Sequence, residues 1–237
     1  MPNHVTTRCL VTGSQADVDQ FRNRAFRLQG VSTLFDFNAF IPMPSILTET
    51  QSSSVAEQGA ALVSLLRGRA PPTGRSLFGP RLTRMQRTTI AHIRKTLDMP
   101  KASIIEGAKA WLEKHPEYRD QGEKRLQAID ETGFADWYDW STAHWGTKWN
   151  AYLLHIHSEH PLEFSFTTAW EFPLPVFAAI VEAFPRLSIR CSCYDEGDGF
   201  AGDGYLNPQP GQPEFALCEA TDELYKLVYG EPMDGAP

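Results

Sequence analysis

Residues 162–194 read LEFSFTTAWEFPLPVFAAIVEAFPRLSIRCSCY, and no other stretch of the chain restricts the fold as strongly. LEFSFTTA alternates apolar and polar residues with the period of a half-buried strand. Pro173 leads into LPVFAAIVEAF, a helical pattern whose own proline falls in the first turn, where a missing N–H costs nothing. Pro185 closes the helix, and LSIRCSCY is a second strand. Upstream, KWNAYLLHIH alternates in the same way, and SEHP, a loop of about four residues, makes the two strands a hairpin. This half of the chain therefore reads strand–strand–helix–strand.

A similar unit opens the chain. Val5 to Thr12 is β-branched and ends at Gly13. Ser14 with Asp17 three residues on resembles a capping box, and Val18, Phe21, Ala25 and Leu28 keep helical spacing as far as Gly30. Leu34, Phe35, Phe37 and Phe40 favour another strand, ended by Pro42 and Pro44. Two strand–helix–strand units with right-handed crossovers place both helices on one face of an antiparallel sheet. The expected fold is thus an α+β ferredoxin-like sandwich built from residues 5–41 and 162–194, with 148–157 as an extra strand. Residues 1–44 and 147–206 form the expected core of a single domain, 45–146 a helical insertion and 207–237 a tail with a short strand near 215–218 and a helix capped by Thr221. The insertion has helical spacing near 54–67, 80–97, 101–115 and 119–130. Its apolar content is thin, as for an appendage that does not fold alone.

The charge of this 237-residue chain, −7 overall, is segregated. Residues 58–97 hold eight Lys/Arg and no acid, whereas from Asp195 onward there are ten acids and one base, Lys226. Such asymmetry marks an interaction arm or two regions that face one another. Arg81, Arg84, Arg87 and Arg94 recur at helical spacing, which phosphate contact requires. The start lacks a signal-peptide pattern, no apolar run reaches membrane-spanning length, and four scattered cysteines make no disulfide framework, so a cytoplasmic protein with reduced thiols is expected.

Residues 134–152, FADWYDWSTAHWGTKWNAY, hold four of the six tryptophans. Trp137, Trp140 and His144 or Trp145 share a helix face, and Gly146 sits where a helix-ending glycine belongs. Beyond it, strand alternation points Trp149 and Ala151 one way and Lys148, Asn150 and Tyr152 the other. The rings either plug the join between insertion and sheet or wall a pocket with a polar floor. HIHSEH places His155 and His157 on one face, but nothing supplies the remaining ligands of a metal site. Cys191 and Cys193 read as small buried residues. The acids of DEGDGFAGDG lack EF-hand spacing, and the segment reads as a structured turn.

FDFNAFIPMP, WYDWSTAHWGTKWNAY, TAW and EGDGFAG, in that order across residues 3–204, resemble the YubB-like family of phage- and plasmid-encoded proteins. The resemblance implies a ferredoxin-like domain and a mobile-element context. The family's function is not established, so no catalytic residue is carried over.

No P-loop, G-x-S-x-G or H-E-x-x-H motif is present, and no cofactor is implied. The expected function is that of a binding module engaging a protein or nucleic acid of the host or the element at the seam of insertion and sheet. Its candidate ligand-binding residues are Trp145, Lys148, Asn150, Tyr152, Trp170 and Glu171. Two alternatives stand beside it. One is an enzyme acting on a nucleotide or nucleic acid through Lys148, Asn150, Tyr152 and Glu171. The other is nucleic-acid binding by the arginine face.

Overall fold

The computed structural model describes residues 3–67, 95 and 104–232. In chain order it runs β1 (His4–Thr12), α1 (Gln15–Ala25), β2 (Phe26–Gln29), β3 (Ser32–Phe35), a 3-10 turn (Phe37–Ala39), α2 (Ser45–Glu49), α3 (Ser54–Leu66), α4 (Ile104–Lys114), α5 (Pro116–Thr132) and α6 (Trp137–His144). It continues β4 (Tyr152–Glu159), β5 (Leu162–Ala169), α7 (Leu174–Ala183), β6 (Ser188–Asp195), β7 (Ala201–Leu206), β8 (Ala216–Cys218) and α8 (Asp222–Tyr229). These elements form two compact units, Met1–Pro42 with Ser141–Pro237, and Met43–Trp140. None of the helices among the described residues is long and apolar enough to cross a membrane.

The first unit is a mixed α+β body around a six-stranded antiparallel sheet of order β4-β5-β1-β6-β7-β8. Strand alternation gives the sheet two unlike faces. On one, Val5, Thr7, Cys9 and Val11 of β1 are buried, and Cys9 lies opposite Phe164 on β5 and Cys191 on β6. Phe21 of α1 packs 6.3 Å from Phe164, and Phe177 of α7 6.1 Å from Phe166, so both helices cover this face. On the other lie Thr6, Arg8, Leu10, Ser192 and Tyr194. Part of that face is covered by α8, whose Tyr225 and Tyr229 stand 5.3 and 6.2 Å from Tyr194.

The expected second strand of the N-terminal unit is absent from this sheet. Helix α1 stops at Ala25, not near Gly30, and Phe26–Gln29 pairs with Ser32–Phe35 in a separate two-stranded sheet, after which 37–39 is a 3-10 turn. The spacing of Leu28 belonged to a hairpin turning through Gly30, whose φ is +63°. Phe26 and Phe35 from this hairpin reach Phe164 at 5.0 and 5.5 Å and close the phenylalanine core. The strand beside β5 is instead β4, the one expected as an extra. It begins at Tyr152, not at 148, and turns into β5 through two residues, His160 and Pro161.

Strand β7 lay hidden in what reads as a glycine loop. Gly204 has φ +130°, and a Cβ there would stand 2.5 Å from the Glu214 carbonyl oxygen, a backbone approach only glycine permits. The turn before it is structured as expected. The Asp195 carboxylate accepts from the Gly199 N–H at 3.1 Å, and the Tyr194 hydroxyl donates to Asp198 at 2.7 Å.

The expected cap of α1 is formed: Ser14 Oγ donates to Asp17 Oδ2 at 2.6 Å and accepts from the Asp17 N–H at 3.2 Å. Arg186 Nε also donates to Asp17 Oδ2, at 3.0 Å. The Arg186 and Ser14 hydrogen bonds hold the Asp17 carboxyl at about 2, below its ordinary 3.8. A folded-state value below the unfolded one stabilises fully above the unfolded value and is lost as pH falls through the folded one. Urea midpoints should therefore drop between about pH 4 and pH 2, and Asp17→Asn should flatten that limb while leaving the rest of the pH profile in shape.

The second unit has an apolar core of its own, with Leu62, Val63, Ala108, Leu112 and Leu126 buried, more than its thin apolar content announces. There α3 and α5 touch backbone to backbone: a Cβ on Gly59 would lie 1.9 Å from the Tyr118 carbonyl oxygen. Helix α5 starts on Pro116 and ends at Gly133, φ +79°. The expected helix at 80–97, including Arg81, Arg84, Arg87 and Arg94, lies outside the described residues apart from Lys95.

Candidate functional site

Residues 148–151 do not form the extended strand that alternation implies, so Lys148, Asn150 and Tyr152 are not one row. Gly146 has φ +77°. The Ser141 hydroxyl donates to the Lys148 carbonyl, at 2.5 Å, and Thr147 Oγ1 to the Trp149 carbonyl, at 2.6 Å. These local bonds hold a turn, because short hydroxyl side chains offer the backbone an alternative to a ladder.

The turn sorts the candidate residues into two groups. Trp145 and Asn150 face inward. Trp145 is buried and donates its indole N–H to the Ile41 carbonyl at 2.9 Å, with Phe37 edge-on at 5.8 Å. Asn150 Oδ1 accepts from the Phe37 N–H at 2.9 Å, and its Nδ2 donates to Asp36 Oδ1 at 2.8 Å. Asp36 is itself buried, caps the 3-10 turn through the Asn38 N–H at 3.1 Å, and lies 3.5 Å from Arg27. Asn150 also borders a hollow of about 600 Å³ beside the β2–β3 hairpin, away from Lys148. Its bonds to Phe37 and Asp36 make it an anchor for the 36–39 turn.

Lys148, Tyr152 and Trp170 form the second group, at the end of the sheet where β1 starts and β5 finishes. The Lys148 ammonium lies 4.6 Å from the Trp149 ring and 5.0 Å from the Trp170 ring, so two indole faces flank one cation. Trp170 is 36% exposed and has φ +74°, while its N–H donates to the Asn3 carbonyl at 3.0 Å. A bulky residue in the left-handed region costs free energy, and such strain concentrates at functional positions. Trp149 is 6.4 Å from Tyr152, whose hydroxyl is hydrogen-bonded to His4 Nδ1. The His4 N–H donates to Glu196 Oε1 at 2.8 Å.

His4 and Glu196 had no sequence signal. They are separated by 192 positions and meet only because β1 and β6 are neighbours. Partial burial, then the charge of Glu196, raises the Tyr152 phenol above its ordinary value. The ring is therefore a neutral phenol at neutral pH, a hydrogen-bonding group and not a base. Partial burial and then Asp195 raise the Glu171 carboxyl, so Glu171 senses the 195–199 turn, and its carbonyl accepts from Thr168 Oγ1 at 2.8 Å.

His155 and His157 share a face as expected, with rings 4.6 Å apart. No group of three or more His, Cys, Asp or Glu able to hold a metal ion occurs among the described residues. Cys9, Cys191 and Cys193 are buried free thiols, and burial pushes both Cys191 and Cys193 far above the ordinary thiol range.

No family model matches the chain, and no curated protein matches it. Among solved structures it is similar to the crystal structure of the protein api92 from Yersinia pseudotuberculosis, of the DUF1281 family. Identity is 13%, the match covers 93% of this chain and 99% of that one, and the TM-score is 0.41.

Proposed function

We propose that this chain is a binding module that engages a macromolecule through the Lys148–Trp149–Trp170 cluster, within a ferredoxin-like core. Support for the core comes from the order β4-β5-β1-β6. In it β1 and β4 run parallel on either side of β5, β5 and β6 run parallel on either side of β1, and α1 and α7 share one face. The resemblance to the YubB-like family supports a mobile-element setting.

The observation that carries the binding reading is the exposed Trp170 ring, held at positive φ against the Lys148 ammonium. Tryptophans of this kind dominate recognition energy. A neutral phenol at Tyr152 and bonded anchors at Trp145 and Asn150 leave this end of the sheet better furnished for contact than for proton transfer.

The test uses the wild type, Trp170→Ala and Lys148→Ala as baits in extract of the native host. A macromolecule retained by the wild type should be recovered about tenfold less with Trp170→Ala, the effect of losing a hot-spot ring. Melting temperatures should stay close to that of the wild type. Equal recovery of every retained species by all three baits would reject the reading.

A further inference from the structure

The sheet face opposite the phenylalanine core holds a feature that the reading above does not use. Between β5, β1 and β6 on one side and α8 on the other lies a cleft of about 300 Å³, at the lower end of the range for small-ligand sites. Three cations line it, Arg8, Arg190 and Lys226, with one carboxylate, Glu163. That is a local excess of positive charge in a chain of net charge −7.

Each arginine is braced from one side. Arg8 Nε donates to Glu163 Oε1 at 2.6 Å. Arg190 donates from Nε and Nη2 to Asp203 at 3.3 and 3.0 Å, and the Ser192 hydroxyl donates to the same carboxylate at 2.6 Å. A guanidinium has five N–H donors in a fixed fork, so a carboxylate on one edge orients it and leaves the other edge for a second anion. The ammonium of Lys226, on α8, has no hydrogen bond or ion pair among the described residues. Leu227 beside it is 38% exposed, and with Leu10 it gives the cleft an apolar wall. The field is felt nearby: burial, then the charge of Arg8, lowers the neighbouring His157 below its ordinary value.

We propose that this cleft binds a small phosphate monoester, no larger than a mononucleotide. The dianion would meet Lys226 and the open edges of Arg8 and Arg190, with the organic part against Leu10 and Leu227. Three convergent donors match a phosphate dianion better than a single carboxylate, and the braced forks fix their directions in advance. This site is separate from the Lys148–Trp170 cluster, so either assignment stands or falls alone.

The test is calorimetric titration of the full chain at low salt with a 5′-mononucleotide, the matching nucleoside and inorganic phosphate. The mononucleotide should bind saturably, the nucleoside should not, and inorganic phosphate should bind more weakly than the mononucleotide. Lys226→Gln removes an exposed ammonium that holds nothing in the fold, so melting should not change. Affinity should fall about tenfold, as for one charge-assisted contact. Arg190→Gln should lower it further, and Lys148→Ala should leave it unchanged. Absence of saturable binding up to about 10 mM mononucleotide, far above useful affinity, would overturn the proposal. So would wild-type affinity in Lys226→Gln, or phosphate binding as tight as that of the mononucleotide, which marks an adventitious ion only.

Discussion

Phe35→Ala is expected to destabilise the first unit by about 3–5 kcal/mol, the range for deleting a fully buried ring. Phe35 is 0% exposed and meets Phe166 at 5.0 Å, Phe37 at 5.3 Å, Phe164 at 5.5 Å and Phe177 at 6.0 Å. It is the point at which the β2–β3 hairpin closes over the sheet and α7. A loss of that size is a large part of the roughly 5–15 kcal/mol that holds a typical domain together. Urea denaturation followed by far-UV circular dichroism measures it. Val31→Ser, at the fully exposed tip of the same hairpin, should change stability by no more than about 0.5 kcal/mol. If Phe35→Ala were as mild as Val31→Ser, the hairpin would not be sealing the core.

Asn150→Ala should cost about 1–3 kcal/mol, the range for one unsatisfied buried polar group. It leaves the N–H of buried Phe37 without the partner it has at 2.9 Å, and it removes one donor, at 2.8 Å, from Asp36 Oδ1, which keeps the Asn38 N–H. Asn150→Asp should be worse near neutral pH, because it sets a second carboxylate against Asp36, and should recover on acidification. Both follow from urea midpoints at two pH values. A residue on a ligand-pocket floor would behave oppositely, with Asn150→Ala folding normally and losing only ligand. Lys148→Ala, two positions away, is expected to do that, because its ammonium lies against the Trp149 and Trp170 ring faces.

Much of this architecture was legible because periodicity records burial. LEFSFTTA, LSIRCSCY and VTTRCLVT gave the three central strands, and Ser14, Thr221, Pro173 and Pro185 marked helix ends. The errors share one cause, that tertiary contacts overrode local patterns. Leu28 continued the spacing of α1, yet Phe26 left the helix to bury its ring on Phe164. Gly202 and Gly204 looked like a loop, yet Gly204 lets the 214–215 backbone pass close to the strand and Gly202 leaves room for the Phe215, Cys193 and Leu217 side chains. Of the candidate site, the sequence yielded Lys148, Tyr152 and Trp170 as residues but not their arrangement. It assumed strand alternation where the hydroxyls of Ser141 and Thr147 hold a turn. Arg8, Arg190 and Lys226 could not be grouped in advance, since only the sheet order and the docking of α8 bring them to one cleft.

The most direct measurement of the binding account is site-specific photo-crosslinking in the native host, with a benzophenone amino acid in place of Trp170 or, as a control, Val31. The account predicts a discrete adduct with one macromolecule from position 170, absent from position 31 and lost when Lys148→Ala is added. No adduct at position 170, or the same adducts from both positions, would contradict it.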